Sequence, residues 1–203
     1  KYENKLGLQK EMGLKQNRKI PVIGLISRLV KQKGMGLIID ILDVLMQDEI
    51  QFVMLGTGEP EYEQAFRHFQ KKYPDKISAN IKYDAGLARK IYAGVDIFLM
   101  PSLFEPCGLS QLISMCYGTI PVVRRTGGLA DTVNSYDKGD GNGNGFIFDF
   151  FSAHDLLYTV RRALYFYDHP DIWRKLMLRV MKEDYSWQKS ARKYVELYRK
   201  IYI

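Results

Sequence analysis

Six short apolar runs recur along the chain, at 21–26, 52–55, 77–81, 96–100, 120–123 and 145–148. Between the earlier ones lie segments whose apolar residues return every three or four positions. Leu37, Ile38, Ile41, Leu42 and Leu45 share one helical face, Tyr62, Phe66 and Phe69 a second, and Leu87, Ile91 and Tyr92 a third. Strands alternating with helices predict right-handed crossovers and an α/β fold: a parallel sheet of about six strands, covered by helices on both faces. After residue 148 the spacing is helical only, over 153–167, 170–181 and 187–202, with Ser152 and Ser186 as N-caps and Pro170 as a helix starter. Residues 138–145 are rich in glycine and asparagine and read as an exposed loop.

A chain of 203 residues with 46% hydrophobic content is long enough for one large core, so residues 1–203 are expected to form one domain. Its start is charged and helix-like and lacks the order of a secretory signal, which points to a cytosolic protein or to a piece of a longer one. Cys107 and Cys116, the only cysteines, have no metal-ligand spacing and are expected as buried or loop thiols. The net charge of +7 favours polyanions, yet the cations are scattered among 23 acids. Nucleic acid is therefore not required, and a phosphorylated small molecule accounts for local Lys and Arg equally well. A non-catalytic anion- or nucleic-acid-binding α/β module is the alternative that this charge leaves open.

Open sheets of this class bind ligands beyond the carboxyl ends of their strands, near the point where strand order reverses. Arg28 and Lys33 flank a strand-to-helix turn ending at Gly34, so both can reach one anion, and paired cations suit a diphosphate; the alternative is two solvated surface charges. Gly56-Thr57-Gly58 has only the opening of a dinucleotide fingerprint and lacks its third glycine, which is weak support for NAD. Those glycines, and Gly127-Gly128 after the fifth strand, let backbone approach a ligand or turn tightly, or in the second case start a helix over 129–133. Tyr83 directly follows a strand and offers a ring for nucleobase stacking, against the packing role tyrosine more commonly has.

Residues 106–123 carry no charge, but Ser110, Gln111, Ser114, Gly118 and two prolines interrupt the run. It reads as a buried helix opening at Gly108 and then a buried strand, not as a membrane span. The first amides of such a helix suit an anion. Glu105 is the one ionised group at its mouth, where an acid also simply favours the positive end of a helix. No Asp-x-Asp pair, His cluster or Cys-x-x-Cys offers metal ligands, and His68, His154 and His169 read as surface residues.

Taken together, Ser27-Arg28-Leu29 with Gln32-Lys33-Gly34, Leu55-Gly56-Thr57-Gly58, Ile91-Tyr92-Ala93-Gly94, Phe104-Glu105-Pro106-Cys107-Gly108-Leu109 and Val123-Arg124-Arg125-Thr126-Gly127-Gly128-Leu129-Ala130-Asp131-Thr132 resemble bacterial glycogen synthases and plant starch synthases. The likeness covers essentially the whole chain. It implies the Rossmann-like, C-terminal, nucleotide-sugar-binding half of a GT-B glycosyltransferase, whose N-terminal half is absent here and whose final helix crosses back to that half. The implied reaction is transfer of glucose from ADP-glucose to the non-reducing end of an α-1,4-glucan with retention, without metal or other cofactor, nucleic acid or membrane. By that resemblance Arg28 and Lys33 hold the diphosphate, Tyr83 stacks on adenine and Glu105 binds glucose hydroxyls. The amides of Cys107, Gly108 and Leu109, with Ser110, contact sugar and distal phosphate. The implied location is a bacterial cytoplasm or a plant plastid. Ile113 stands where sucrose-type relatives place a second Glu. Leu103 replaces the Arg expected before Phe104, a change expected to loosen the Glu105 loop. Whether ADP- or UDP-glucose is preferred is left open.

Overall fold

The computed structural model describes residues 1–136 and 141–202. Strands β1 (Val22–Ile26), β2 (Gln51–Leu55), β3 (Ile77–Asn80), β4 (Ile97–Met100), β5 (Ile120–Arg124) and β6 (Phe146–Phe148) form one sheet in the order β3-β2-β1-β4-β5-β6. Every neighbouring pair is parallel. The chain steps outward from β1 to β3, returns across β1 to β4, and then steps outward the other way. The reversal falls between β1 and β4, where their carboxyl ends leave a crevice.

Helices α1 (Tyr2–Glu11), α2 (Met35–Leu45), α3 (Pro60–Lys72), α4 (Ala85–Gly94), α5 (Ser110–Cys116), α6 (Gly127–Thr132), α7 (Ala153–Tyr167), α8 (Pro170–Val180) and α9 (Trp187–Ile201) complete the fold. Side chains alternate across each strand, so two cores form. Ile23, Phe52, Ile97 and Leu99 pack with α2, α3, α7 and α8. Val22, Val53, Phe98 and Val123 pack on the other face with α1, α4 and α6. The three apolar helix faces read from the sequence all meet these cores. Ser152 and Ser186 cap α7 and α9 by accepting from the amides of Asp155 (3.2 Å) and Lys189 (3.3 Å), and Pro170 opens α8.

Several expectations need correction. The uncharged run forms a helix that starts at Ser110, two residues after Gly108, because Gly108 has φ +75° and cannot continue a right-handed helix. That helix is buried on one side only: Gln111, Ser114 and Met115 face inward, while Ile113 and Cys116 face solvent. Cys116 is thus neither a buried nor a loop thiol; Cys107 lies in a loop. Of the glycine-rich stretch, 138–140 fall outside the described residues. Its far end is not exposed, since Asn144 is buried and its side chain bonds the amide of Asn134 (2.7 Å) and the carbonyl of Thr132 (3.0 Å).

Nothing in the local sequence marks Lys5 for full burial. Its Nζ lies 2.7 Å from Asp96 Oδ2 and donates to Tyr167 Oη (2.6 Å) and to the Arg18 carbonyl (3.0 Å). Asp96 also accepts from the Val22 amide (2.8 Å), so this pair ties α1 to the amino ends of β1 and β4, the end of the sheet opposite the crevice. Removing one partner of such a pair typically costs about 3–5 kcal/mol.

Candidate functional site

A cavity of about 360 Å³ lies at the carboxyl ends of β1 and β4 and is bordered by Arg28, Lys33, Ser102, Glu105, Gly108, Leu109 and Ser110. Most of the residues singled out in the sequence therefore converge at the reversal point. Glycines make this possible by admitting backbone against backbone. Gly34 has φ +74°, and a Cβ there would strike the Pro101 carbonyl. At Gly56 and Gly58 it would strike the carbonyls of Ser27 and Leu29, and at Gly127 and Gly128 those of Glu105 and Cys107. Each of these close approaches is to a neighbouring loop, and Gly127 also opens α6. Hydrogen bonds join the same segments: Leu29 N to Thr57 O (2.9 Å), Leu103 N to Gln32 O (2.9 Å) and Gly128 N to Glu105 O (3.1 Å).

Within the cavity Lys33 Nζ lies 2.5 Å from Glu105 Oε2, and Ser102 Oγ donates to that same oxygen at 3.1 Å. Glu105 is only 7% exposed. Arg28 is exposed and has no acidic partner among the described residues. The amides of Cys107, Gly108 and Leu109 donate to no backbone acceptor among the described residues. Beneath them, Gln111 Nε2 donates to the Gly108 carbonyl (2.8 Å) and to Thr132 Oγ1 (3.1 Å), holding the loop from below. Burial pushes the titration of the Tyr92 hydroxyl above its ordinary value, with Ser110 opposing the rise. The cavity thus offers one unpaired guanidinium, one ammonium shared with a carboxylate, and free amides. That set is suited to an oxyanion beside a polyol.

Tyr83 and Cys107 are not part of the cavity lining. Tyr83 is 91% exposed on the turn from β3 into α4, between Lys82 and Asp84, which pair at 2.8 Å. The Glu105 loop, expected to be loose without an Arg at 103, is held by Arg124 at the end of β5. Its Nε donates to the Ser102 carbonyl (2.9 Å) and its Nη2 to the Leu103 carbonyl. Sequence reasoning missed Ser102, Gln111 and Arg124 as site residues. The available signal for Arg124 is a cation ending the strand beside β4.

A parallel sheet of this order with an anion-receptive crevice at its reversal is the architecture of the nucleotide-binding half of a GT-B glycosyltransferase. The model of the family "Glycosyl transferases group 1" matches residues 10–175, and the chain belongs to that family. It is 57% identical over 201 residues to a glycogen synthase of Thermotoga petrophila, covering 98% of this chain and 41% of that protein. To a glycogen synthase of Clostridium novyi it is 54% identical, covering 99% of this chain and 42% of that one. The catalytic domain of starch synthase IV from Arabidopsis thaliana, solved with ADP and acarbose, superposes with a TM-score of 0.89 at 38% identity, over 98% of this chain and 42% of that one. The chain thus spans about two fifths of the length of the curated relatives it matches.

Proposed function

We propose that this chain is the donor-binding domain of a retaining glucan synthase that takes glucose from ADP-glucose and adds it to the non-reducing end of an α-1,4-glucan. The observation that carries the reading is the single cavity gathering Arg28, Lys33, Glu105 and the free amides near Gly108. In this reading Arg28 and Lys33 grip the diphosphate and Glu105 takes glucose hydroxyls. The amides of Cys107, Gly108 and Leu109, with Ser110, meet the sugar and the distal phosphate, and Tyr83 folds its ring onto adenine from the neighbouring turn. The main chemical task is to stabilise the negative charge that builds on departing ADP, which preorganised cations and amides perform without reorganising. The leaving phosphate then takes the acceptor proton on the same face, which preserves the anomeric configuration.

The relatives' greater length supports a missing N-terminal half that completes the cleft and most of the glucan surface. Helix α9 supports it too, since no residue of it is buried while Trp187, Tyr194, Tyr198 and Ile201 lie open to solvent. We assign that stripe to the absent half. Closer identity to bacterial relatives than to the plant enzyme favours a bacterial cytoplasm over a plastid.

Calorimetric titration with ADP tests the reading: saturable binding is expected, and tighter for ADP-glucose than for UDP-glucose. No binding by a folded sample, or binding indifferent to ADP against unrelated polyanions and lost with salt, overturns it in favour of an unspecialised anion-binding module. The chain alone should transfer little glucose to a glucan primer, because half the cleft is absent.

A further inference from the structure

We infer that Arg124 is a positioning residue for the sugar-recognising carboxylate, doing from β5 what the Arg missing at position 103 was expected to do from within the loop; this rests on the donor-site reading above. The guanidinium closes on two successive carbonyls, Ser102 and Leu103, and lies 5.9 Å from the centre of the Phe151 ring, which limits its swing. The restraint reaches Glu105 through one residue. Ser102, its carbonyl held by Arg124, turns its hydroxyl onto Glu105 Oε2 at 3.1 Å. Lys33 reaches the same oxygen. With both donors on Oε2, Oε1 is left to accept hydroxyls of a bound hexose. Leu103, 44% exposed, supplies only its backbone, accepting from Arg124 and donating to Gln32. Residue 103 is therefore free to be apolar.

The role predicts an effect on sugar recognition distinct from nucleotide binding. Arg124 touches neither the cations nor the amides assigned to phosphate, so its loss should spare ADP while degrading the extra affinity that glucose brings. The readout is the ratio of the dissociation constants for ADP and ADP-glucose, measured calorimetrically on this chain. The wild-type ratio is expected to be about tenfold, the scale of one hydrogen bond to a charged group. In Arg124→Gln it should fall to near one with ADP affinity unchanged or slightly improved, and Arg124→Lys, which keeps the charge but not the two-pronged donor, should lie between. Ser102→Ala cuts the last link without disturbing Arg124, and should lower the ratio in the same way if Arg124→Gln fails to fold. A ratio preserved in either folded variant, or a wild-type ratio of one, overturns this role while leaving ADP binding intact. Absence of ADP binding by the folded wild type overturns the donor-site reading, and this role with it.

Discussion

Lys33 and Glu105, 72 residues apart in the chain, meet at 2.5 Å inside the cavity, so the ammonium that the donor-site reading assigns to phosphate already holds a carboxylate. A diphosphate must compete with that internal anion. Glu105→Gln removes the competitor while keeping the shape, and should tighten ADP about fivefold, or about 1 kcal/mol for a partly exposed pair. Calorimetry at low and physiological salt measures this. Weaker ADP binding in the variant would mean that Glu105 orients Lys33 for phosphate instead of restraining it.

Tyr83 makes a separable prediction because it is almost wholly exposed. Tyr83→Ala should leave unfolding stability within about 0.5 kcal/mol of wild type. If the ring stacks on adenine, ADP affinity should fall by about 1–3 kcal/mol. Inorganic pyrophosphate, which has no base, should bind both proteins alike, and an equal loss for both ligands would place the effect elsewhere.

Gly34 and Gly36 lie two residues apart and should respond oppositely to alanine. At Gly34 the positive φ costs about 1–2 kcal/mol for any L side chain, and the Pro101 carbonyl leaves no room for a methyl group. Gly34→Ala should therefore destabilise by at least about 2 kcal/mol in urea unfolding. Gly36 lies in α2, where an added methyl group would meet nothing within 4 Å, so Gly36→Ala should be neutral or stabilising by up to about 1 kcal/mol. Equal effects would disprove the close loop contact.

Stability should also rise with pH in the mildly alkaline range. Burial pushes the Lys1 ammonium down to about 8 and lowers Lys5 as well, outweighing the attraction of Asp96 in each case. Between about pH 8 and 10.5 the unfolded chain keeps a Lys1 proton that the native chain has released, so stability climbs, by at most about 1.4 kcal/mol per pH unit for each such group. From about pH 10 the buried Tyr92 and Tyr167, held protonated while unfolded tyrosines ionise, outweigh the last of the Lys1 gain and the net slope reverses. Urea midpoints should peak at about pH 10, and a steady decline from about pH 7 would show that Lys1 is solvated.

Much of this fold is legible in the sequence because its signals are local. The strand at 52–55 is an apolar run, the α2 face is a periodicity, and Ser152 is a cap followed by a helix, so each element can be placed to within a residue or two. The convergence of Arg28, Lys33 and Glu105 is legible through the rule that parallel sheets expose their loops at one edge. What escapes depends on long-range pairing. Lys5 sits in a charged segment that carries no hint of burial, and its partner Asp96 is 91 positions away. Arg124 is visible as a cation after a strand, but its grip on the carbonyls of Ser102 and Leu103 follows from β5 lying beside β4, which no local pattern encodes. The helix start slips from Gly108 to Ser110 because sequence does not reveal which glycine adopts positive φ.

The glycine-stitched loops have one more effect. Main chain, and not adjustable side chains, fixes the interval between the segment bearing Arg28 and Lys33 and the segment bearing Glu105. The crevice is thus a gauge of set span, and in the donor-site reading proposed above it would sort nucleotide sugars by how far the hexose lies from the nucleoside.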